Sequence, residues 1–295
     1  MSNVRKLALA SILLLNICST LVLASLQTEA QTEYSIEVRG YTWDHTTISV
    51  SIRPQENKSW WKPVYLEAVL HGIAQWNDAI NEFTSNHTTF SYVSQFRLVP
   101  TISYENVSGF DVYIGWVAEC GSEATIGQSR LTAKSPCIVN NGTVCLAAKA
   151  PSGHVMTEVD MQNIVVHELG HNLGLSHCNY SSDVMYPIVY YRDTVKPLSS
   201  LDLYAVSQLF EWIPNSSQSS SSITCSEESV VTMPSSISYN YFQIAAENLP
   251  VSQPQNLTEY VIGLFMRPET LTALLVVVTL IAATTIFLKR KKKPQ

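Results

Sequence analysis

The chain has 295 residues, 46% of them apolar, with 11 glycines and 13 prolines, so neither a collagen-like nor a wholly disordered chain fits. Net charge is −6, but the cations gather at the two ends, at Arg5 and Lys6 and again at Lys289, Arg290, Lys291, Lys292 and Lys293. Residues 25–288 hold 11 cations against 24 acids, a net −13, which argues against a nucleic-acid partner and fits a membrane protein with its bulk outside.

In chain order, Arg5 and Lys6 precede an apolar run over residues 7–24. Val22-Leu23-Ala24 before Ser25 has the small-residue pattern of a signal-peptidase site, so residues 1–24 read as a signal peptide. An uncleaved N-terminal anchor would leave the middle of the chain on the same side.

The folded part is expected over residues 34–212. Thr47–Ile52 alternates apolar and polar residues, a strand signal that Pro54 ends. From Pro63 to Phe83 the apolar residues recur at three-to-four spacing through Val69, Ile73, Trp76, Ile80 and Phe83, which predicts an amphipathic helix opened by proline. Residues 89–98 and 110–117 read as strands, and residues 124–133 and 142–148 as weaker strand candidates around Cys137. Helices follow over 160–173 and 198–210, the second capped by Ser199 or Ser200. This order predicts an α+β fold with a small C-terminal helical lobe.

Beyond it, residues 215–224 read NSSQSSSSIT, too polar to bury anything. Residues 213–268 are expected to be a Ser-rich linker and stalk. An uninterrupted apolar stretch over 271–288 then spans about 27 Å as a helix, enough for a bilayer core. It predicts a transmembrane helix over 269–288, and the basic residues after it predict a cytoplasmic tail over 289–295. The rest of the chain is then extracellular at the cell membrane.

Seven Asn-X-Ser/Thr sequons, at Asn57, Asn86, Asn106, Asn141, Asn179, Asn215 and Asn256, agree with an exported glycoprotein. Outside the leader stand Cys120, Cys137, Cys145, Cys178 and Cys225, an odd set expected mostly as disulfides. Asn140-Asn141-Gly142 lies between Cys137 and Cys145 and is a turn signal, so Cys137–Cys145 is the first pairing expected. Cys120 would then meet Cys178 and leave Cys225 as the odd thiol. The rival pairing joins Cys145 to Cys178.

The chemistry sits in His167-Glu168-Leu169-Gly170-His171-Asn172-Leu173-Gly174-Leu175-Ser176-His177. At about 100° per residue, His167 and His171 share one helix face, a turn apart, and can reach one ion. Glu168 can lean over the ion's open side without binding it. His177 would lie about 240° round and 9 Å along an unbroken helix, out of reach. A turn is therefore required, and Gly174 is the residue that can enter a left-handed conformation and end the helix. Three neutral nitrogens with one open position is the catalytic arrangement for zinc, so one Zn2+ is expected. Met185 follows in Asp183-Val184-Met185-Tyr186-Pro187.

Residues 167–177 resemble the extended zinc-binding consensus of the metzincin metallopeptidases, and Met185 resembles their Met-turn. The resemblance runs over nearly all of residues 34–212 and is closest to the matrixins. It implies a metzincin-like catalytic domain with a mixed, twisted five-stranded sheet, an active-site helix and a horizontal cleft. Carried over residue by residue, His167, His171 and His177 become zinc ligands and Glu168 the general base. Met185 becomes the floor beneath the zinc, and Pro187 part of a substrate-pocket wall. Cys178 stands where matrixins usually carry serine. No cysteine-switch motif lies between Ser25 and Trp43. His45, His71, His87 and His154 make no matching cluster for a second zinc.

The function expected is that of a membrane-anchored zinc metalloendopeptidase, with protein or peptide substrates. Water on zinc, deprotonated by Glu168, attacks a peptide lying along an edge strand placed at residues 124–133. The rival reading is a cell-surface binding or structural protein that keeps a metzincin fold without turnover. Glu168 discriminates between them, because a non-catalytic fold has no use for a carboxylate there.

Overall fold

The computed structural model describes residues 33–120, 125–188, 191, 194–213 and 229–245. The expected leader (1–24), membrane span (269–288) and basic tail (289–295) lie outside the described residues. Among the described residues no helix is long and apolar enough to cross a membrane.

Among the described residues, twelve elements follow in order. They are β1 (Ser35–Val38), β2 (Thr47–Ile52), α1 (Val64–Asn86), a 3-10 helix (Thr88–Gln95), β3 (Arg97–Ile102), β4 (Val112–Val117) and β5 (Gly127–Ala133). Then come β6 (Val139–Ala147), α2 (Glu158–Asn172), β7 (Leu175–Cys178), α3 (Ser200–Leu209) and β8 (Ser229–Thr232). The architecture is the expected α+β.

Five strands form one sheet in the order β3-β2-β4-β6-β5. β2 pairs in parallel with β3 and β4, and β4 with β6, whereas β5 runs antiparallel to β6 at the edge. This is the mixed sheet that the resemblance implied. Ile48, Val50 and Ile52 of β2 are buried with Val112, Ile114 and Trp116 of β4, as their period of two requires. In α1 the buried stripe runs through Tyr65, Val69, Ile73, Trp76, Ile80 and Phe83, while Val64, Leu66 and Leu70 are only partly buried. Trp76 seats α1 on α2, its Nε1 donating to Val166 O at 3.0 Å. A second sheet, in the order β7-β1-β8, joins the strand after α2 to the start and end of the described chain.

Three expectations need correction. Residues 89–98 are not a strand. A 3-10 helix occupies Thr88–Gln95, and the strand, β3, begins at Arg97. Phe90 stacks on Phe83 of α1, and the Tyr92 hydroxyl donates to Ser207 O at 2.9 Å, so aromatic anchoring outweighs strand propensity here.

Residues 229–242 are not stalk. β8 pairs antiparallel with β1, Phe242 N donates to Leu198 O at 2.9 Å, and the Phe242 side chain is buried. Four strand residues and a few aromatics are too short a run to show periodicity in the sequence.

The disulfide expectations fail as well. Cys137 is disulfide-bonded, but Cys120, Cys145 and Cys178 are free thiols, so Cys137–Cys145, Cys120–Cys178 and Cys145–Cys178 are all absent. Asn140-Asn141-Gly142 lies inside β6 rather than in a turn, with Gly142 opposite both Val112 and Leu131. From residue 139 to Cys145 a straight strand advances about 20 Å, far beyond the ~7 Å limit for bridged Cα atoms. The partner of Cys137 lies outside the described residues, as does Cys225.

Candidate metal centre

A capping box starts the helix that carries the site. Thr157 Oγ1 accepts from Asp160 N at 3.1 Å, and Asp160 Oδ2 accepts from Thr157 N at 3.0 Å. Every residue from Asp160 to Asn172 is buried, because α1, the sheet and the segment after β7 enclose α2 on all sides. His167 and His171 sit in its last turns. Gly174 then breaks the helix at φ +97°, and a Cβ there would lie 2.5 Å from Tyr41 O. The chain turns into β7 and delivers His177. The turn expected from the sequence is therefore present, at the residue expected.

The three histidines converge, each offering a ligand atom within 4.8 Å of the others. Their ring centroids are 4.6, 4.9 and 5.5 Å apart. His167 Nδ1 donates to Val184 O at 2.8 Å and His171 Nδ1 to Leu175 O at 3.0 Å. Both bonds fix the tautomer and leave Nε2 free to bind. Burial pushes His167 down to about 4 and His171 to about 3, and lowers His177 as well, so all three are neutral donors at physiological pH. Three neutral nitrogens with an open fourth position suit catalytic zinc.

Glu168 is buried beside them, and burial pushes its carboxyl up to about 7 against the opposing Arg39 guanidinium. Such a group can both take and return a proton near neutrality. Arg39 is a residue that sequence reasoning missed. Its backbone N donates to Gly174 O at 2.9 Å, which brings the guanidinium within electrostatic reach of Glu168, His171 and His177. Nothing in the sequence near Arg39 signals this, because the contact depends on β1 pairing with β7.

Met185 is fully buried beneath the helix, and a Cβ on Gly170 would overlap its sulfur. Pro187 lies exposed two residues further on. The turn that carries Met185 rests on a polar cluster also missed from sequence. Asp183 Oδ1 accepts from Met185 N at 2.8 Å, and Asp183 Oδ2 lies 2.6 Å from Ser199 Oγ and 2.8 Å from the Tyr239 hydroxyl. Asp202 caps α3 through Ser199 N at 2.8 Å. Burial, then the adjacent Asp183 carboxylate, pushes Asp202 well above the usual carboxylate range. A proton on Asp202 Oδ1, which otherwise has no partner, reconciles the two acids.

The matrixin family profile matches residues 42–211, more than half of the chain. This chain belongs to the matrixin family. Matrixins are zinc-dependent metallopeptidases, and this chain carries a histidine triad that could hold a metal ion. Two similar proteins come from Arabidopsis thaliana. Metalloendoproteinase 5-MMP is 29% identical over 106 residues, covering 36% of this chain and 28% of that protein. Metalloendoproteinase 1-MMP is 30% identical over 148 residues, covering 46% of this chain and 40% of that protein. This matrixin thus aligns with less than half the length of either relative.

Proposed function

We propose that this matrixin is a zinc metalloendopeptidase that hydrolyses peptide bonds in protein or peptide substrates, anchored in a membrane by residues 269–288. The observation that carries the reading is the convergence of His167, His171 and His177, with their Nδ1 tethers, beside the buried Glu168. Bound zinc supplies a Lewis acid that polarises the scissile carbonyl and lowers the pKa of water. Glu168 takes a proton from the attacking water and passes it to the leaving amine. Both α2 histidines are held by backbone carbonyls, so the ligand geometry is set before zinc arrives. Met185 supports the histidines from below, and Pro187 lines the substrate side.

An extended substrate pairs with β5. That strand stands at the sheet edge, and its Ser129 Oγ accepts from Asn172 Nδ2 of α2 at 2.6 Å, which ties the edge to the metal helix. The apolar run and the basic residues after it support the membrane anchor, and the tendency of such residues to stay in the cytoplasm supports a catalytic domain outside the cell.

The test is a peptidase assay on a denatured protein, with and without chelator, on the wild type and Glu168→Gln. Chelation should abolish cleavage. Glu168→Gln should keep zinc and fold yet lose about 10²–10⁴-fold in rate, because an amide accepts no proton from water. Retention of more than about a hundredth of the rate would overturn the role given to Glu168.

A further inference from the structure

Two thiols that the proposed reaction does not use meet on the sheet face turned away from α2. In β6, Gly142, Val144 and Leu146 face the helix side, where Val144 and Leu146 are buried and a Cβ on Gly142 would overlap Asn172 of α2. Strand alternation therefore points Cys145 the other way. Cys145 lies opposite Gly115 of β4 on one side and Gln128 of β5 on the other. Gly115 offers no side chain to cover it. Past β4 the chain stays against β6, with Ala148 N donating to Val117 O at 2.9 Å and Lys149 N to Ala118 O at 3.0 Å. The Lys149–Glu119 ion pair, 2.7 Å long, carries the contact one residue further. Cys120 follows, and its thiol is in hydrogen-bonding contact with that of Cys145. Both are free and only partly buried, whereas Cys137 in the same fold is oxidised.

We infer that Cys120 and Cys145 are an oxidation site, joined as a disulfide when the chain matures in a compartment that oxidises Cys137. The oxidant required is a disulfide, either of a small thiol or of a thiol oxidoreductase. Burial pushes the Cys145 thiol up, opposed by the hydrogen bond from Cys120 and by nearby Arg130; once deprotonated, its sulfur attacks one sulfur of that disulfide and expels the other as a thiol. The Cys120 sulfur then attacks the Cys145 sulfur of the mixed disulfide and expels the second thiol. Two protein thiols lose two protons and two electrons, and one external disulfide becomes two thiols. The new link closes a loop that contains the whole of β5, the strand tied to α2 through Ser129. It therefore ties the segment after β4 to β6, the strand that pairs with the substrate edge.

The experiment is peptide mapping of the wild-type chain after refolding with oxidised and reduced glutathione, alkylated without reduction. The expected result is a Cys120–Cys145 linked peptide, at the summed mass of both peptides less two hydrogens, and loss of both cysteines from the alkylated pool. Cys178, whose buried thiol donates to Tyr180 O, should remain alkylatable once the chain is denatured. Alkylation of both Cys120 and Cys145 while Cys137 is bridged would overturn the inference. So would a link from either cysteine to a third. No peptidase activity is needed for either result, so the pairing stands or falls apart from the proposed function.

Discussion

α2 meets α1 mainly through apolar contact, with Val165 and Val166 against Gly72 and Trp76, and a buried hydrogen bond from Gln162 to Gln75. Beyond the histidines, the segment carrying Met185 rests instead on Asp183, Ser199, Asp202 and Tyr239. The two regions meet at Gly170, against which both Trp76 and Met185 lie, and they support the same candidate metal centre with different physics. Apolar packing holds the two helical histidines, and it tolerates sequence change so long as volume is kept. A hydrogen-bonded polar cluster holds the Met185 turn, whose Val184 carbonyl orients His167, and within it burial and the Asp183 carboxylate raise Asp202.

The most severe way to break the apolar side is Trp76→Ala. Trp76 is wholly buried between α1 and α2 and donates to Val166 O. Its removal should cost about 3–5 kcal/mol in denaturant unfolding. A loss below about 1 kcal/mol would mean that the interhelical core is not what positions α2.

His177→Ala probes the junction between the two regions, because His177 alone comes from β7 rather than from the helix. Two ligands should remain neutral and tethered, but the ion would be half-solvated. Zinc affinity, read by competition with a chelator, should fall by more than the roughly 10–100-fold typical of losing a supporting hydrogen bond. Unchanged affinity would remove His177 from the ligand set.

The same contrast decides what could be read without a structure. The strand alternation of β2, the apolar stripe of α1 and the spacing of His167, His171, Gly174 and His177 are local, periodic signals, and each appears where it was read. Arg39, Asp183 and Tyr239 act only after distant segments meet, and nothing near them in sequence marks that meeting. Asn140-Asn141-Gly142 shows the opposite failure. A genuine local turn signal was overridden because β4 and β5 both pair with that stretch. Residues 229–242 escaped notice because they contribute one short strand and isolated aromatics to surfaces that other segments build.

The effect that is smallest per unit of pH is also the one that most sharpens the comparison. Asp202 keeps its proton in the folded chain at pH values where the unfolded chain, with an ordinary value near 3.8, has lost it. The native state therefore binds more protons across that window, and the contribution of Asp202 to stability falls as pH rises above about 4. One such proton is worth at most about 1.4 kcal/mol per pH unit. In Asp202→Asn the amide oxygen can still accept from Ser199 N, and the amide nitrogen can donate to Asp183 as the proton did. The variant should lose this slope and become the more stable of the two as pH rises. His167, His171 and Glu168 also titrate differently in the two states, but they do so alike in both proteins and cancel in the difference. Unfolding of zinc-free wild type and variant by denaturant between pH 5 and 9 reads that difference directly. Parallel curves would mean that Asp202 is ionised in the fold, and the Met185 turn would then need another counter-charge to keep two buried acids together.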